Sequence, residues 1–205
     1  MSPDTEQALV ARLQRGETTA FDEVYDRYRP RLFAFLARLT QHREIAEDLL
    51  QETWLRLAQH APRLAANTCL AAWLFTVARN LHRSHVRWLV VDLDQRRWLR
   101  RTAREGIENT SPFDLTAAGE LERALEHALA LLPIKHREAV LLVAVERMEP
   151  SEAARVLGIS PEALRQRLSR GRVRIADELG RRGLGRGRVV GGAERPKEKG
   201  STDAA

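Results

Sequence analysis

Three arginines, Arg79, Arg83 and Arg87, recur every four positions in the stretch 71–88, interleaved with Asn80 and Ser84. Guanidinium groups at that helical spacing grip phosphates, and short amide and hydroxyl side chains between them can reach base edges. Just before them, Asn67, Thr68 and Leu70 form a short loop able to cradle an unstacked base. A second basic set, Arg165, Gln166, Arg167, Ser169 and Arg170, follows Glu162 near the C-terminal end. An acidic set differs in kind: Glu44, Glu47, Asp48, Gln51 and Glu52 crowd one helical segment. Carboxylates can do acid–base work, but no nucleophile, metal partner or pocket-forming pattern accompanies these, so docking is the chemistry they offer. His82 and His85 have a spacing used in metal sites, but no third ligand stands near. They are expected at the surface or against nucleic acid. No catalytic residue, metal site, cofactor or small-molecule substrate is expected, and the chain does not read as an enzyme.

The elements that must carry these groups are helical. No segment alternates apolar and polar residues long enough for a convincing strand, and Ala, Leu, Arg and Glu dominate. A short helix over 5–15 is stopped by Gly16. A second starts after Thr18 and Thr19, carries Phe21, Val24 and Tyr28 on one face, and is expected to break or kink at Pro30. Leu32, Phe35 and Leu39 resume the stripe, and Ala46, Leu50, Trp54 and Leu57 mark the buried face of the acidic helix. Pro62 interrupts before a long helix over 71–88, with Trp73 or Leu74, Val77, Leu81 and Trp88 turned inward. Residues 91–117 fit no single stripe and read as a flexible linker. Order returns at Glu120, with a further helix after Pro133 over 135–146 and two short ones over 150–157 and 161–179.

The most specific local pattern is PSEAARVLGISPEALRQRLSRGRVRIADEL over 150–179. Ala154 is small where two helices cross, Gly158 supplies the positive φ of a tight turn, and Leu164 packs across it. Ser160 is a good N-cap and Pro161 suits the first helical position. This is the spacing of a helix-turn-helix. Its second helix buries Leu164, Leu168 and Ile175 and offers the basic set to a major groove.

Composition agrees. The 205 residues are 43% hydrophobic and 30% charged, enough for compact cores, with a formal net charge of +6. Residues 180–205 hold seven Arg/Lys and three acids, so the remainder is only mildly basic. Cys69 is the only cysteine, which excludes an internal disulfide. No apolar run approaches the ~20 residues of a membrane span, and the start is polar, so a cytoplasmic protein without membrane insertion is expected. The fold class is all-α: two small helical domains on a flexible linker, the second a four-helix domain containing the helix-turn-helix. The boundaries are 1–90, linker 91–117, 118–180, and a disordered basic tail over 181–205.

In this order the motifs GETTAFDEVYDRYRPRLFAF, EIAEDLLQETWLRL, AAWLFTVARNLHRSHVRW, LALLPIKHREAVLL and the helix-turn-helix resemble the extracytoplasmic-function sigma factors of bacterial RNA polymerase. The resemblance implies a region 2-like first domain and a region 4-like second. It implies that Asp48, Gln51 and Glu52 dock on core polymerase. It assigns Asn67, Thr68, Leu70, Arg79, Asn80, Arg83 and Arg87 to the −10 element, and Glu162, Arg165, Gln166, Arg167, Ser169 and Arg170 to the −35 element. It also implies promoter DNA and an anti-sigma factor as partners. Departures fall at Ser84, His85 and Trp88, where the family usually carries charge, and at Arg147 and Glu149 before the helix-turn-helix. A linker of this length spans at most about 95 Å at ~3.5 Å per residue, enough to bridge two promoter elements roughly 50–70 Å apart. Two other readings fit the same residues: a sigma-mimic module that binds an anti-sigma factor, and a stand-alone helix-turn-helix regulator.

Overall fold

The computed structural model describes residues 3–96 and 119–184, with side chains over 6–89 and 119–184. Eight α-helices follow in chain order among the described residues: α1 (Pro3–Gln14), α2 (Thr18–Thr40), α3 (Arg43–His60), α4 (Leu70–Arg96), α5 (Glu120–Ala130), α6 (Ile134–Val140), α7 (Pro150–Leu157) and α8 (Pro161–Arg181). A 3₁₀ turn at Ala61–Arg63, entered through Pro62, separates α3 from the loop before α4. A π turn at Leu141–Val145 extends α6.

The first four helices enclose one core. α2 packs along α3 and α4, burying Val24, Tyr28, Leu32, Phe35 and Leu39 from one stripe. Phe35 meets Phe75 of α4 edge-on, ring centroids 5.1 Å apart. The expected break at Pro30 does not occur: α2 is continuous through it. Pro30 sits on the exposed side, where water can take the carbonyl it leaves unbonded. Losing one hydrogen bond in mid-helix costs about 3 kcal/mol. Leu32, Phe35 and Leu36, fully buried just beyond it, return more than that at roughly 1.5–3 kcal/mol each.

Helix α4 runs to Arg96, past the point where a linker was expected, because no glycine or proline stops it before Gly106. The rest of the expected linker lies outside the described residues. At the other end, residues 181–184 of the expected tail close α8 rather than leaving it. Gly183, at φ 73°, lets Leu184 N–H reach Leu179 O at 2.9 Å, a Schellman stop. The remainder of the tail also lies outside the described residues. No described helix is long and apolar enough to cross a membrane.

The second group, α5–α8, folds around Leu129, Leu132, Leu141, Leu142, Leu157 and Leu164. Gly158 ends α7 at φ 62° and Ser160 Oγ accepts the Ala163 N–H at 3.2 Å, so the helix-turn-helix closes as its sequence requires. Gly171 lets α8 lie close on α6: a Cβ there would sit 2.7 Å from Val140 Cγ2. The two groups are not apart. α4 packs on α7, and α2 on α5 and α6, so their buried residues form one continuous cluster.

Candidate nucleic-acid and polymerase interface

The exposed face of α8 presents Glu162, Arg165, Gln166, Ser169 and Arg170 to solvent, and Arg167 is half-buried. Leu164 and Leu168 hold the opposite face against the core, so the polar face is fixed by burial rather than by its own contacts. Its one internal pair, Arg165 to Glu162 at 3.4 Å, is wide open to water and weak. The arginines are therefore available to phosphate or base edges.

On α3, Asp48 and Gln51 stand exposed, and Glu52 is half-exposed with its carboxylate on Arg56 Nε at 2.7 Å. Of the three, Gln51 lines a cleft of about 630 Å³ between α2 and α3, together with Tyr25, Arg29, Phe33, Glu47, Leu50 and Trp54, while Asp48 and Glu52 lie outside that lining. Tyr25 leans on the Trp54 ring, centroids 4.9 Å apart, which keeps the cleft floor apolar. Sequence reasoning found the acids but missed Tyr25, Arg29 and Phe33. The available signal was Phe33, an aromatic off the buried stripe of α2.

The loop before α4 is gripped by α1. Glu6 Oε1 accepts the Leu70 N–H at 2.9 Å, capping α4 from sixty-four residues away, and Gln14 Nε2 donates to Leu64 O at 2.6 Å. Asn67 is exposed and Thr68 half-buried. Leu70 is not part of an open cradle: its side chain is fully buried, and it anchors the loop from below. Glu6 and Gln14 were invisible as positioning residues, since nothing local to α1 announces a cap.

Along α4 the expected arginine stripe divides. Asn80, Arg83 and Arg87 are exposed, with Arg87 donating to Ser84 Oγ at 3.1 Å. Arg79 is 6% exposed, its Nε on Glu138 at 2.9 Å and Nη1 on Val156 O at 3.2 Å. At 3.6 residues per turn, a step of four rotates about 40°, so a row of arginines winds off one face onto another. Trp88, expected inward, is 60% exposed beside the exposed Val86 and Leu89, and His82, expected at the surface, is buried. Burial, then the charges of His85, Arg137 and Arg79, pulls the His82 pKa down to about 4, so it is neutral near pH 7. Among the described residues no group of His, Cys, Asp and Glu could hold a metal.

Residues 24–88 match the Sigma-70 region 2 family and residues 122–175 match Sigma-70, region 4. RNA polymerase sigma factor CarQ of Myxococcus xanthus is 35% identical over 82% of this chain and 94% of its own length. The chain belongs to the ECF RNA polymerase sigma factors. ECF sigma factor SigM of Mycobacterium tuberculosis is 30% identical over 84% of this sigma factor and 83% of its own length. The sigma factor RpoE of Bartonella quintana, solved in complex with the anti-sigma factor NepR, superposes with a TM-score of 0.64 at 26% identity, covering 78% of this chain and 96% of that one. The first match takes in most of α2, all of α3 and α4 as far as Trp88; the second runs from Glu122 in α5 to Ile175 in α8, so α1 lies outside both.

Proposed function

We propose that this sigma factor docks on core RNA polymerase through Asp48, Gln51 and Glu52 beside the cleft of α2 and α3. An apolar floor rimmed by Glu47, Arg43 and Arg29 suits an amphipathic helix of the partner. The loop at Asn67 and Thr68 receives an unstacked base of the −10 element, and Asn80, Arg83 and Arg87, joined by Arg79 when it is released, hold the strand. Extruding that base costs a few kcal/mol, which contacts to a basic, partly apolar surface must offset. α8 lies in the major groove of the −35 element. Arg165, Gln166, Ser169 and Arg170 meet DNA there, Glu162 borders the contact, and Arg167 steadies the helix. An anti-sigma factor is the regulatory partner, as in the Bartonella complex. The protein catalyses no bond chemistry; it spends binding energy on placing the polymerase.

One observation carries this reading. The exposed polar faces of α3, α4 and α8 lie on separate helices, each fixed by a buried stripe, within a chain similar to sigma factors over most of its length. Run-off transcription with purified core polymerase tests it. Specific initiation that is lost in Asp48→Ala/Gln51→Ala and in Arg165→Ala supports it. Permanganate footprints without opening at any bound promoter would refute the −10 assignment.

A further inference from the structure

Trp88 stands open to water on α4, 60% exposed, one turn beyond Ser84 and next to Arg87. Tryptophan is highly buried on average, so an indole this open on a basic helix is the observation to explain. Successive helical positions turn by about 100°. Arg83 and Arg87 therefore mark one edge of the exposed face, Asn80 and Ser84 its middle, and Trp88 the opposite edge, about 100° round from Arg87. Arg87 donates to Ser84 Oγ at 3.1 Å, which turns it toward the middle of that face.

A single strand of DNA is two-sided in the same way, with phosphates along one edge and flat bases along the other. Guanidinium groups on one side and an aromatic plane on the other are what such a strand asks of a helix. A protein partner would want a continuous apolar patch, and α4 does not offer one. Val86 and Leu89, also exposed, lie about 160° and 100° round from Trp88. Trp88 is also remote from the loop before α4. It stands roughly 27 Å along the helix axis from Leu70, at 1.5 Å per residue, too far to serve a base held at Asn67 and Thr68.

We propose that Trp88 is a stacking platform for a second unpaired base of the −10 strand, whose phosphates Arg83 and Arg87 hold. The inference rests on the assignment of α4 to the −10 element and adds to it a contact without charge. A charged side chain at this position would grip a phosphate; the indole takes the face of the base instead. Every base has such a face, so Trp88 contributes affinity for the open strand rather than base preference.

The test follows the full chain on a labelled single-stranded thymidine oligomer, and on the same oligomer carrying one 2-aminopurine. Trp88→Ala is expected to weaken binding about fivefold or more, the least that a base stacked on an aromatic contributes, while Trp88→Phe keeps most of the affinity. The slope of log affinity against log salt should be unchanged in Trp88→Ala and shallower by about 0.7 in Arg87→Ala, since only the second loses a phosphate contact. Stacking on an indole quenches 2-aminopurine, so quenching should accompany binding of the wild type. Trp88→Arg separates the two roles: it should bind with a slope steeper by about 0.7 and with the quench lost. Wild-type affinity in Trp88→Ala, or quenching that survives in Trp88→Arg, overturns the proposal. Loss of helix in these variants by circular dichroism would make Trp88 a packing residue and overturn it as well. Retained promoter melting by holoenzyme carrying Asn80→Ala/Arg83→Ala would instead overturn the assignment of α4, whatever the oligomer shows at Trp88.

Discussion

Arg79 and Glu138, fifty-nine positions apart, form an ion pair of 2.9 Å with both side chains more than nine-tenths buried. Such a pair is roughly neutral when compared with apolar residues of similar volume, but leaving one partner alone is costly. Glu138→Ala is therefore expected to destabilise the protein by about 3–5 kcal/mol. Arg79→Leu/Glu138→Leu together should cost much less. Urea denaturation of the two variants against wild type compares the broken pair with the replaced one.

Acidification should loosen the packed form through His82. Its folded pKa, about 4, lies below the ordinary value of 6.5, so the folded chain binds fewer protons than the unfolded one in between. The stabilisation is complete above pH 6.5, declines as pH falls, and is exhausted near pH 4, at about 1.4 kcal/mol per pH unit. His136, also lowered by burial, acts in the same sense. Glu146, raised by burial despite its bond to Arg31, acts in the opposite one. Replacing His82 with Leu should flatten the dependence of the urea midpoint between pH 7 and 5 by close to one proton.

Removing the Glu6 carboxylate deprives α4 of its cap. Glu6→Ala should cost about 1 kcal/mol, the usual worth of an N-cap acceptor, while Glu6→Gln keeps an acceptor oxygen and loses less. Thermal melts of the two variants against wild type separate the cap from any general effect of charge.

Gly171 admits no side chain without movement of α6. Gly171→Val should cost about 3 kcal/mol, since its Cβ meets Val140 Cγ2 at 2.7 Å and the branched methyls overpack the same seam. The melting temperature should fall, and binding to a −35 duplex should weaken, although Gly171 touches no DNA in the proposed arrangement.

Asp48 and Gln51, by contrast, can be removed freely. Both are exposed, and surface changes of this kind stay within about 0.5 kcal/mol. The double alanine variant should melt as wild type does while its affinity for core polymerase drops about tenfold, read by competition with a labelled sigma factor.

What the sequence made legible follows from how local each signal is. The helix-turn-helix could be read residue by residue because Gly158, Ser160 and Leu164 act within a few positions of one another. The acidic helix was equally plain, since Asp48 and Gln51 lie opposite a buried stripe that includes Ala46, Leu50 and Trp54. Pro30 misled because the cost of a proline is local while the compensation comes from packing against α3 and α4. Arg79 misled because a fourfold spacing looks like one face over two turns, and because its partner, Glu138, is remote in sequence. Leu70 sits at the start of a helix whose capping acid comes from α1, so its inward turn had no local sign. The packing of α4 on α7 left no trace in either segment alone: each shows only an apolar stripe, and a stripe does not name what covers it.

Because the first helix holds the loop proposed to receive a base by a carboxylate and an amide, that proposal has a change at the amino terminus altering which promoters are used without altering any residue assigned to DNA. A fusion partner or a trimmed start that disturbs Glu6 or Gln14 would detune the reader from behind. Promoter preferences measured on such material would describe the tag as much as the protein.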